Sequence, residues 1–189
     1  DLFQLQRSER IIRSIHMRNL REEGVRFIDL SHTYVDVDVT IGSGTCIYPN
    51  VFLEGKTQIG KNCILEPGSI VRNSILENNV VVKAYSHLED ALVKDKANIG
   101  PYARLRPGAE IGEESKIGNF VEIKKSKLMK GVKVSHLSYV GDADGPDLGA
   151  YEVIDVEAKH TLKEDTSNIE YTGNAGNDGD TTRVSGGGP

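Results

Sequence analysis

Residues 93–123 read VKDKANIGPYARLRPGAEIGEESKIGNFVEI, and every sixth residue in this stretch is aliphatic. A period of six matches neither the 3.6-residue period of a helix nor the two-residue alternation of a β-strand. It is typical of a hexapeptide parallel β-helix, in which each short strand buries one aliphatic side chain before the chain turns a corner. The aliphatic positions are Val93, Ile99, Leu105, Ile111, Ile117 and Ile123.

The six-residue repeat extends in both directions from this stretch. Three hexads make one triangular coil, so residues 35–140 predict about six coils, with a stacked length of roughly 28 Å at ~4.8 Å between paired strands. His87 is the one repeat position that is not aliphatic, and we expect it to mark a bulge or an irregular coil. The other positions, with a slip of four residues after Val71 and a slip of five after Ile123, are Val35, Ile41, Ile47, Leu53, Ile59, Leu65, Val71, Ile75, Val81, Leu128, Val134 and Val140.

Glycine often follows a repeat position. The pairs are Ile41-Gly42, Ile59-Gly60, Ile99-Gly100, Ile111-Gly112 and Ile117-Gly118. We expect these glycines to lie at tight corners that require a residue tolerant of positive φ.

The segment before the repeat predicts a helix. Residues 2–23 lack Gly and Pro and place Ile11, Ile12 and Ile15 at helical spacing. Gly24 follows at the position where a glycine commonly ends a helix.

The chain therefore divides into three predicted parts. Residues 1–24 form an N-terminal linker helix, residues 25–143 a β-helix domain, and residues 144–189 an acidic, Gly-rich tail that is β-rich or irregular. The tail carries ten Asp and Glu against three Lys and Arg, whereas the rest of the chain carries eighteen against twenty. We expect the tail to be either a flexible segment or a cap, and a cap would cover the strand edges and apolar core that the last coil otherwise exposes to water.

The composition argues against several classes of protein. The chain has 189 residues, a net charge of −5 and no apolar stretch near the roughly 20 residues of a membrane span. Its first ten residues lack the basic-then-apolar order of a signal peptide. It has no concentrated basic face for nucleic acid, although a local pocket for a small anion is compatible with its charge. Cys46 and Cys63 predict neither a disulfide framework nor a zinc site, so we expect a cytoplasmic protein that binds neither membrane nor nucleic acid.

Polar functional side chains are densest on the last predicted coils. Arg106 and Lys124 are one full coil of 18 residues apart, so they should stack on one edge about 4.8 Å apart. The guanidinium fork and the compact ammonium together suit a phosphorylated substrate. Alternatively, both are exposed cations paired with Glu110 or Glu122. The cluster comprises Arg104, Arg106, Glu122, Lys124, Lys125, His136 and Tyr139.

His136 is the candidate general base of this cluster. It lies two residues after the repeat position Val134 and hence outside the aliphatic stack, in a part of the chain that also contains Glu122 and Tyr139. An exposed histidine near a carboxylate can accept a proton close to neutral pH, and the carboxylate can fix its tautomer. A surface histidine without a role is the alternative, and the residues alone leave both open.

Three motifs carry a specific family resemblance. They are GPYARLRPGA at residues 100–109, GNFVEIKK at 118–125 and HLSYVGDA at 136–143. In their order and spacing they resemble the acetyltransferase half of the bifunctional bacterial N-acetylglucosamine-1-phosphate uridyltransferase / glucosamine-1-phosphate acetyltransferase family. The resemblance covers about residues 1–143.

The resemblance implies both a fold and a reaction. The implied fold is an all-β, left-handed parallel β-helix that assembles as a homotrimer with active sites between neighbouring subunits. The implied reaction moves acetyl from acetyl-CoA to the amine of glucosamine-1-phosphate, on the route to UDP-N-acetylglucosamine for peptidoglycan and lipopolysaccharide precursors. Arg106, Lys124 and Tyr139 would hold the sugar phosphate. His136 would accept the amine proton, Glu122 would orient His136 or the sugar, and no metal is needed for this step.

Two departures from the family pattern limit these expectations. Nothing like the nucleotidyltransferase half precedes the helix, so we expect no uridyltransferase activity in this chain. Asp144-Gly145-Pro146-Asp147 follows the last motif, where the family has further coils that bind acetyl-CoA. The acceptor half of the site is thus expected to be present and the donor half absent. The chain is either an acetyltransferase or a catalytically incomplete β-helix trimer that serves as a scaffold or a sugar-phosphate-binding fragment.

Overall fold

The computed structural model of the chain describes residues 1–141. They form one N-terminal helix and nineteen short strands, which pair in parallel and wind into a β-helix. The predicted all-β hexapeptide fold with a helix at its N-terminus is confirmed. The predicted tail, residues 144–189, and the last two residues of the predicted β-helix domain lie outside the described residues.

The helix α1 (Leu2–Glu22) begins with a capping box. The Asp1 carboxylate accepts a hydrogen bond from the Gln4 N–H at 2.9 Å, and the Gln4 side chain accepts one from the Asp1 amino group at 3.2 Å. These contacts satisfy donors that have no partner inside the helix. No helix within residues 1–141 is long and apolar enough to cross a membrane.

The helix ends at the predicted glycine. Gly24 has a φ of +96°, and its N–H donates to the Arg21 carbonyl at 3.0 Å. The N–H of Val25 donates to the Leu20 carbonyl at 2.9 Å, which completes the pair of bonds typical of a glycine-terminated helix.

The helix packs on the β-helix through its C-terminal part. Met17 and Leu20 are buried there, and the His16 ring donates through Nε2 to the Val39 carbonyl at 3.1 Å. The three isoleucines that reveal the helical spacing stay about half exposed. They are Ile11, Ile12 and Ile15.

The strands are two or three residues long, as a six-residue repeat with a corner in every hexad requires. In chain order they are β1 (Arg26–Phe27), β2 (Tyr34–Val35), β3 (Thr40–Ile41), β4 (Cys46–Ile47), β5 (Phe52–Glu54), β6 (Gln58–Ile59), β7 (Ile64–Leu65), β8 (Ile70–Arg72), β9 (Ile75–Leu76), β10 (Val81–Val82), β11 (His87–Glu89), β12 (Leu92–Val93), β13 (Asn98–Ile99), β14 (Arg104–Leu105), β15 (Glu110–Ile111), β16 (Lys116–Ile117), β17 (Glu122–Ile123), β18 (Lys133–Val134) and β19 (Tyr139–Val140).

Successive strands belong to successive faces of a three-sided prism. The first sheet has the order β1-β4-β7-β10-β13-β16-β18, the second β2-β5-β8-β11-β14-β17-β19 and the third β3-β6-β9-β12-β15. An isolated bridge between Glu110 and Lys127 continues the third sheet. The first and second faces therefore hold seven strands each, and the third holds five strands and the bridge, where about six coils were predicted.

The three repeat positions after Val71 lie one residue later than predicted. Leu76, Val82 and Leu88 are the buried members, and they pair in register with the core residues of the neighbouring coils. The chain thus slips by five residues after Val71 and again after Leu88. The residues predicted to be buried face outward instead, and they are Ile75, Val81 and His87.

Side-chain alternation explains this correction. Neighbouring residues of a strand point to opposite faces, so a shift of one residue exchanges core and solvent. Both residues of Ile75-Leu76 and of Val81-Val82 are aliphatic, and their periodicity does not choose between them. At the third of these steps Leu88 fills the core and His87 lies on the outer side of the strand, although Nε2 of His87 is shielded from solvent and has no hydrogen-bond partner within residues 1–141. The expectation of a bulge at His87 is wrong, since β11 pairs regularly with β8 and β14.

A second inward position, two residues before each repeat position, carries smaller side chains. Thr45, Thr57 and Cys63 are buried there. The Thr45 hydroxyl donates to the Gly60 carbonyl at 2.8 Å, so the polar groups at this position are satisfied inside the prism.

The glycines after the repeat positions are required for a different reason from the one predicted. Among the five glycines that follow a repeat position, only Gly100 has a positive φ, of +92°. At Gly42 and Gly60 a Cβ atom would approach the backbone of the next coil to 2.8 Å and 2.6 Å, and at Gly112 and Gly118 it would overlap a backbone carbonyl. Close stacking of coils, rather than backbone conformation, therefore excludes side chains at these four positions.

Candidate functional site

The second sheet brings three polar residues of the predicted cluster into one row. Arg104 in β14, Glu122 in β17 and Tyr139 in β19 are direct register partners on adjacent coils. Each precedes a buried aliphatic residue, so its side chain lies on the outer face of the sheet.

A second row of candidate residues lies where the same strands end. The N–H of Arg106 donates to the Ile123 carbonyl at 2.8 Å, and the N–H of Lys124 donates to the Val140 carbonyl at 2.9 Å. These bonds place Arg106 and Lys124 at equivalent positions of neighbouring coils. The outer edge of the second sheet thus carries two stacked cations.

Arg106 and Glu122 form an ion pair across the two rows. Nη1 of Arg106 donates to Oε1 of Glu122 at 2.9 Å, and about a third of each side chain is exposed. Glu110, the other carboxylate considered for these cations, pairs with Lys127 at 2.9 Å on the third face. The contact with Glu122 uses one of the five N–H groups of the guanidinium.

The Tyr139 hydroxyl turns toward the corner occupied by Lys124. A Cβ atom at Gly141 would lie 3.0 Å from this hydroxyl oxygen and 3.2 Å from the Lys124 Cβ. The same Cβ would also approach the Lys124 carbonyl oxygen to 2.8 Å, so a side chain at position 141 would crowd both the phenol and the backbone of the preceding coil. Gly141 was not among the predicted site residues, although its position one coil after Lys124 is the signal that reveals it.

His136 lies in the turn that leads into β19, and its side chain is exposed. Its carbonyl accepts a hydrogen bond from the Ser138 hydroxyl at 3.0 Å, and the next residue, Leu137, has a φ of +50°. Within residues 1–141 the imidazole makes no hydrogen bond or ion pair. The Glu122 carboxylate, considered as its partner, binds Arg106 instead.

The corner next to His136 carries a column of stacked aromatic rings that the sequence analysis missed. Tyr85 and Tyr102 stack with ring centroids 5.3 Å apart, and Tyr102 and Phe120 with centroids 5.2 Å apart, both at 11° between planes. Leu137 occupies the equivalent position of the next coil. The spacing of one coil between Tyr85, Tyr102 and Phe120 is the signal that would have revealed this column.

Comparison with known proteins finds similarity to one family model and to a group of relatives that share a name. The family model "Bacterial transferase hexapeptide (six repeats)" matches residues 38–73 and 90–125. The chain is also 46% identical over 143 residues to "Bifunctional protein GlmU" of Exiguobacterium sp., a match that covers 76% of this chain and 32% of that protein. Residues 38–73 and 90–125 are thus bacterial-transferase hexapeptide repeats, and about three quarters of the chain is similar to GlmU.

Other relatives bear the same name. The chain is 44% identical over 135 residues to "Bifunctional protein GlmU" of Thermodesulfovibrio yellowstonii, covering 71% of this chain and 30% of that protein. It is 42% identical over 166 residues to the protein of that name from Anaeromyxobacter sp., covering 85% of this chain and 34% of that protein. The chain therefore spans about a third of the length of the curated relatives it matches.

The site of this GlmU relative contains cations, a phenol and an imidazole, and these groups suit anion binding and proton transfer. Residues 1–141 hold no group of three or more His, Cys, Asp and Glu side chains that could bind a metal ion. Cys46 and Cys63 are both free thiols.

Proposed function

We propose that this chain is an acetyltransferase domain that binds glucosamine-1-phosphate and transfers acetyl to its amine from acetyl-CoA. One observation carries the proposal, namely the stacking of Arg106 and Lys124 on adjacent coils with the Tyr139 hydroxyl at the same corner. The relationship to GlmU supports it. We place the reaction in the cytoplasm, in the supply of UDP-N-acetylglucosamine for cell-wall precursors.

The two cations and the phenol bind the phosphate of the acceptor. Arg106 donates several N–H groups in a planar fork, Lys124 adds a compact positive charge, and the Tyr139 O–H donates to a phosphate oxygen. Glu122 holds the guanidinium in place through its 2.9 Å contact, so less side-chain entropy is lost when the phosphate binds.

His136 accepts the proton of the reacting amine. The amine nitrogen attacks the thioester carbonyl, so that a C–N bond forms and the C–S bond breaks. The proton released from nitrogen passes to the imidazole, and the departing CoA thiolate takes up a proton in turn. A positioned histidine contributes about 10² to 10⁴-fold to such a step. The exposed His136 ring makes no bond within residues 1–141 that competes with this role.

We further propose that the active unit is a homotrimer in which a neighbouring subunit completes the site. The described groups lie on the outer surface of the prism, where Arg106 and Glu122 are each about a third exposed. A second copy placed against this surface would exclude water, which strengthens the electrostatic contacts with the phosphate.

A sugar-phosphate-binding scaffold without turnover is the second candidate function. It is favoured by the end of the aliphatic repeat at Val140, since no hexad series continues in the sequence to supply further coils for acetyl-CoA. Under this candidate the acceptor binds at Arg106 and Lys124, and His136 has no reaction to serve.

The deciding experiment measures CoA thiol release from acetyl-CoA by the full 189-residue chain, with and without glucosamine-1-phosphate. Calorimetric titration with glucosamine-1-phosphate accompanies it. Acceptor-dependent release that His136→Ala abolishes supports the acetyltransferase. Acceptor binding without release supports the scaffold. Absence of both binding and release from the folded protein overturns the proposal.

A further inference from the structure

A basic groove lies on the first sheet, away from the predicted site. It has a volume of about 290 Å³, and its walls include three lysines, two glycines and a serine. We call it the lysine groove, and these residues are Lys83, Gly100, Lys116, Gly118, Lys133 and Ser135.

Two of the lysines face each other across adjacent strands. Lys116 in β16 and Lys133 in β18 are direct register partners, so their backbones lie about 4.8 Å apart. Like charges directly opposite one another in a sheet are destabilising. Lys83 adds a third charge from the other side of Gly100, where a glycine Cβ would lie 3.5 Å from the Lys83 Cβ.

No carboxylate within residues 1–141 neutralises these three lysines. Some lysines elsewhere on the prism are paired, as Lys96 is with Glu114 at 3.3 Å and Lys127 with Glu110 at 2.9 Å. The lysine groove differs in that it gathers three lysines without such a partner around one cavity. An anion that enters the groove would remove the repulsion between Lys116 and Lys133.

Backbone, rather than side chains, forms the floor between the lysines. A Cβ atom at Gly118 would overlap the Ser135 carbonyl oxygen, and one at Gly100 would overlap the Ser86 hydroxyl. Gly100 and Gly118 therefore cannot carry side chains, and both line the cavity of about 290 Å³ together with the three lysines.

We propose that the lysine groove binds a diphosphate group. Three flexible ammonium groups with three donors each suit a compact anion with several oxygens, and no planar fork is present to select a carboxylate. Ser135 directly precedes His136 in the chain, so the groove opens beside the corner that carries the candidate base. The diphosphate comes either from CoA or from a free or nucleoside diphosphate.

This inference is independent of the proposed acetyl transfer, because diphosphate binding needs neither His136 nor Arg106. Binding is measured by calorimetric titration of the full chain with inorganic pyrophosphate at low ionic strength. We expect the double variant Lys116→Gln/Lys133→Gln to bind pyrophosphate at least about tenfold more weakly, because two of three charge-assisted contacts are lost. His136→Ala is expected to bind it unchanged.

Lys127→Gln is the matched control, since it removes a surface lysine that already has a carboxylate partner. Its pyrophosphate affinity should stay within about twofold of the parent value. Circular dichroism and light scattering verify that all variants are folded and keep the parent mass. A mass change confined to the double variant would mean that the two lysines contact another copy of the chain, which overturns the proposal.

Three further ligands identify the source of the diphosphate. CoA and ADP both carry the group, whereas pantetheine lacks it. Tighter binding of CoA than of ADP and pyrophosphate assigns the groove to CoA, and equal binding of all three assigns it to a free or nucleoside diphosphate. The proposal fails if pyrophosphate does not bind, if the double variant binds it unchanged, or if pantetheine binds as tightly as CoA.

Discussion

Arg106 donates to Glu122 at 2.9 Å, and a second arginine–glutamate pair lies two coils earlier on the same sheet, where Arg72 contacts Glu54 at 2.7 Å. Arg72 is aligned with Glu89, which in turn precedes Arg106 in the same row of the second sheet. Glu122 lies one coil after Arg106, whereas Glu54 lies one coil before Arg72. The two arginines thus share a surface and a type of partner, but only Arg106 lies beside Lys124.

Arg106→Ala should weaken glucosamine-1-phosphate binding by about 10- to 100-fold, because a charge-assisted hydrogen bond to phosphate contributes ~1.5–3 kcal/mol. The free energy of unfolding should fall by about 1 kcal/mol or less, as is usual for exposed ion pairs. Titration calorimetry and urea unfolding check the two effects. Arg72→Ala is the control, with a similar small loss of stability and full binding. Equal loss of binding in both variants would rule out a specific role for Arg106.

Gly118→Ala should prevent the normal stacking of two coils. The added methyl would overlap the Ser135 carbonyl. Neither group can rotate away, because the backbone fixes the position of the Cβ atom and the carbonyl is itself part of the backbone. We expect a loss of at least about 3 kcal/mol in urea unfolding, or failure to fold. Gly131→Ala provides the contrast, since nothing lies within 4 Å of its Cβ position and only its φ of +76° is unfavourable. That variant should lose about 1–2 kcal/mol. Similar losses in the two variants would contradict the close approach at Gly118.

Much of this fold follows from the sequence, because one periodic constraint is repeated in every coil. Positions such as Leu105, Ile117 and Ile123 are aliphatic since each strand offers one inward site, and a strict period makes that site visible. The register between Val71 and Val93 was misplaced because the first two steps, Ile75-Leu76 and Val81-Val82, each offer two adjacent aliphatic residues. Only pairing between coils resolves such a choice.

The candidate site was predictable in position but not in contacts. A spacing of one coil places Arg106 beside Lys124 without any knowledge of side chains. The pairing of Arg106 with Glu122 depends on side-chain rotamers, which periodicity does not encode. The role of Gly141 as space for the Tyr139 hydroxyl depends in the same way on the path of the phenol.

Tyr102→Ala should remove two aromatic contacts at once, because Tyr102 stacks on both Tyr85 and Phe120. Each contact contributes about 0.5–1.5 kcal/mol beyond burial, so a loss of ~1–3 kcal/mol is expected in urea unfolding at fixed protein concentration. Phe120→Ala breaks one contact and should lose about half as much. Tyr102→Phe keeps both rings and should be nearly neutral. Equal losses for Tyr102→Ala and Phe120→Ala would mean that the column is not stacked in solution.

Asp29→Asn should change how stability depends on pH in the acidic range. The hydrogen bond from His32 Nδ1, at 2.6 Å, is the main cause of a lowered pKa for the Asp29 carboxyl, with a second bond from the Ser31 N–H at 2.8 Å. A lowered pKa in the folded state favours the ionised form. Its stabilising contribution is therefore fully present above the ordinary value of 3.8 and is lost as the pH falls through the folded-state pKa.

Urea unfolding of the parent and of Asp29→Asn between about pH 2 and 6 measures this contribution. The parent should lose more stability than the variant on acidification. Asp38→Asn serves as the control, because the Asp38 carboxylate makes no hydrogen bond within residues 1–141, and its pH profile should follow the parent. Parallel profiles for the parent and Asp29→Asn would show that the His32 contact does not persist in solution.

The two free thiols should differ sharply in reactivity. Cys63 is fully buried, its Sγ donates to the Glu77 carbonyl at 3.1 Å, and burial raises the pKa of its thiol above the ordinary value of 9.0. Because the thiolate is the reactive form, iodoacetamide at about pH 8 should label the half-buried Cys46 and leave Cys63 unmodified. Mass spectrometry of the intact chain and of its peptides distinguishes the two sites.

In urea both cysteines should react at similar rates, which separates protection by the fold from any intrinsic difference. Cys46→Ser leaves a single thiol, whose labelling then reports the opening of the coil that contains Cys63. Rapid labelling of that thiol in the native state would contradict the packing of Cys63 inside the prism.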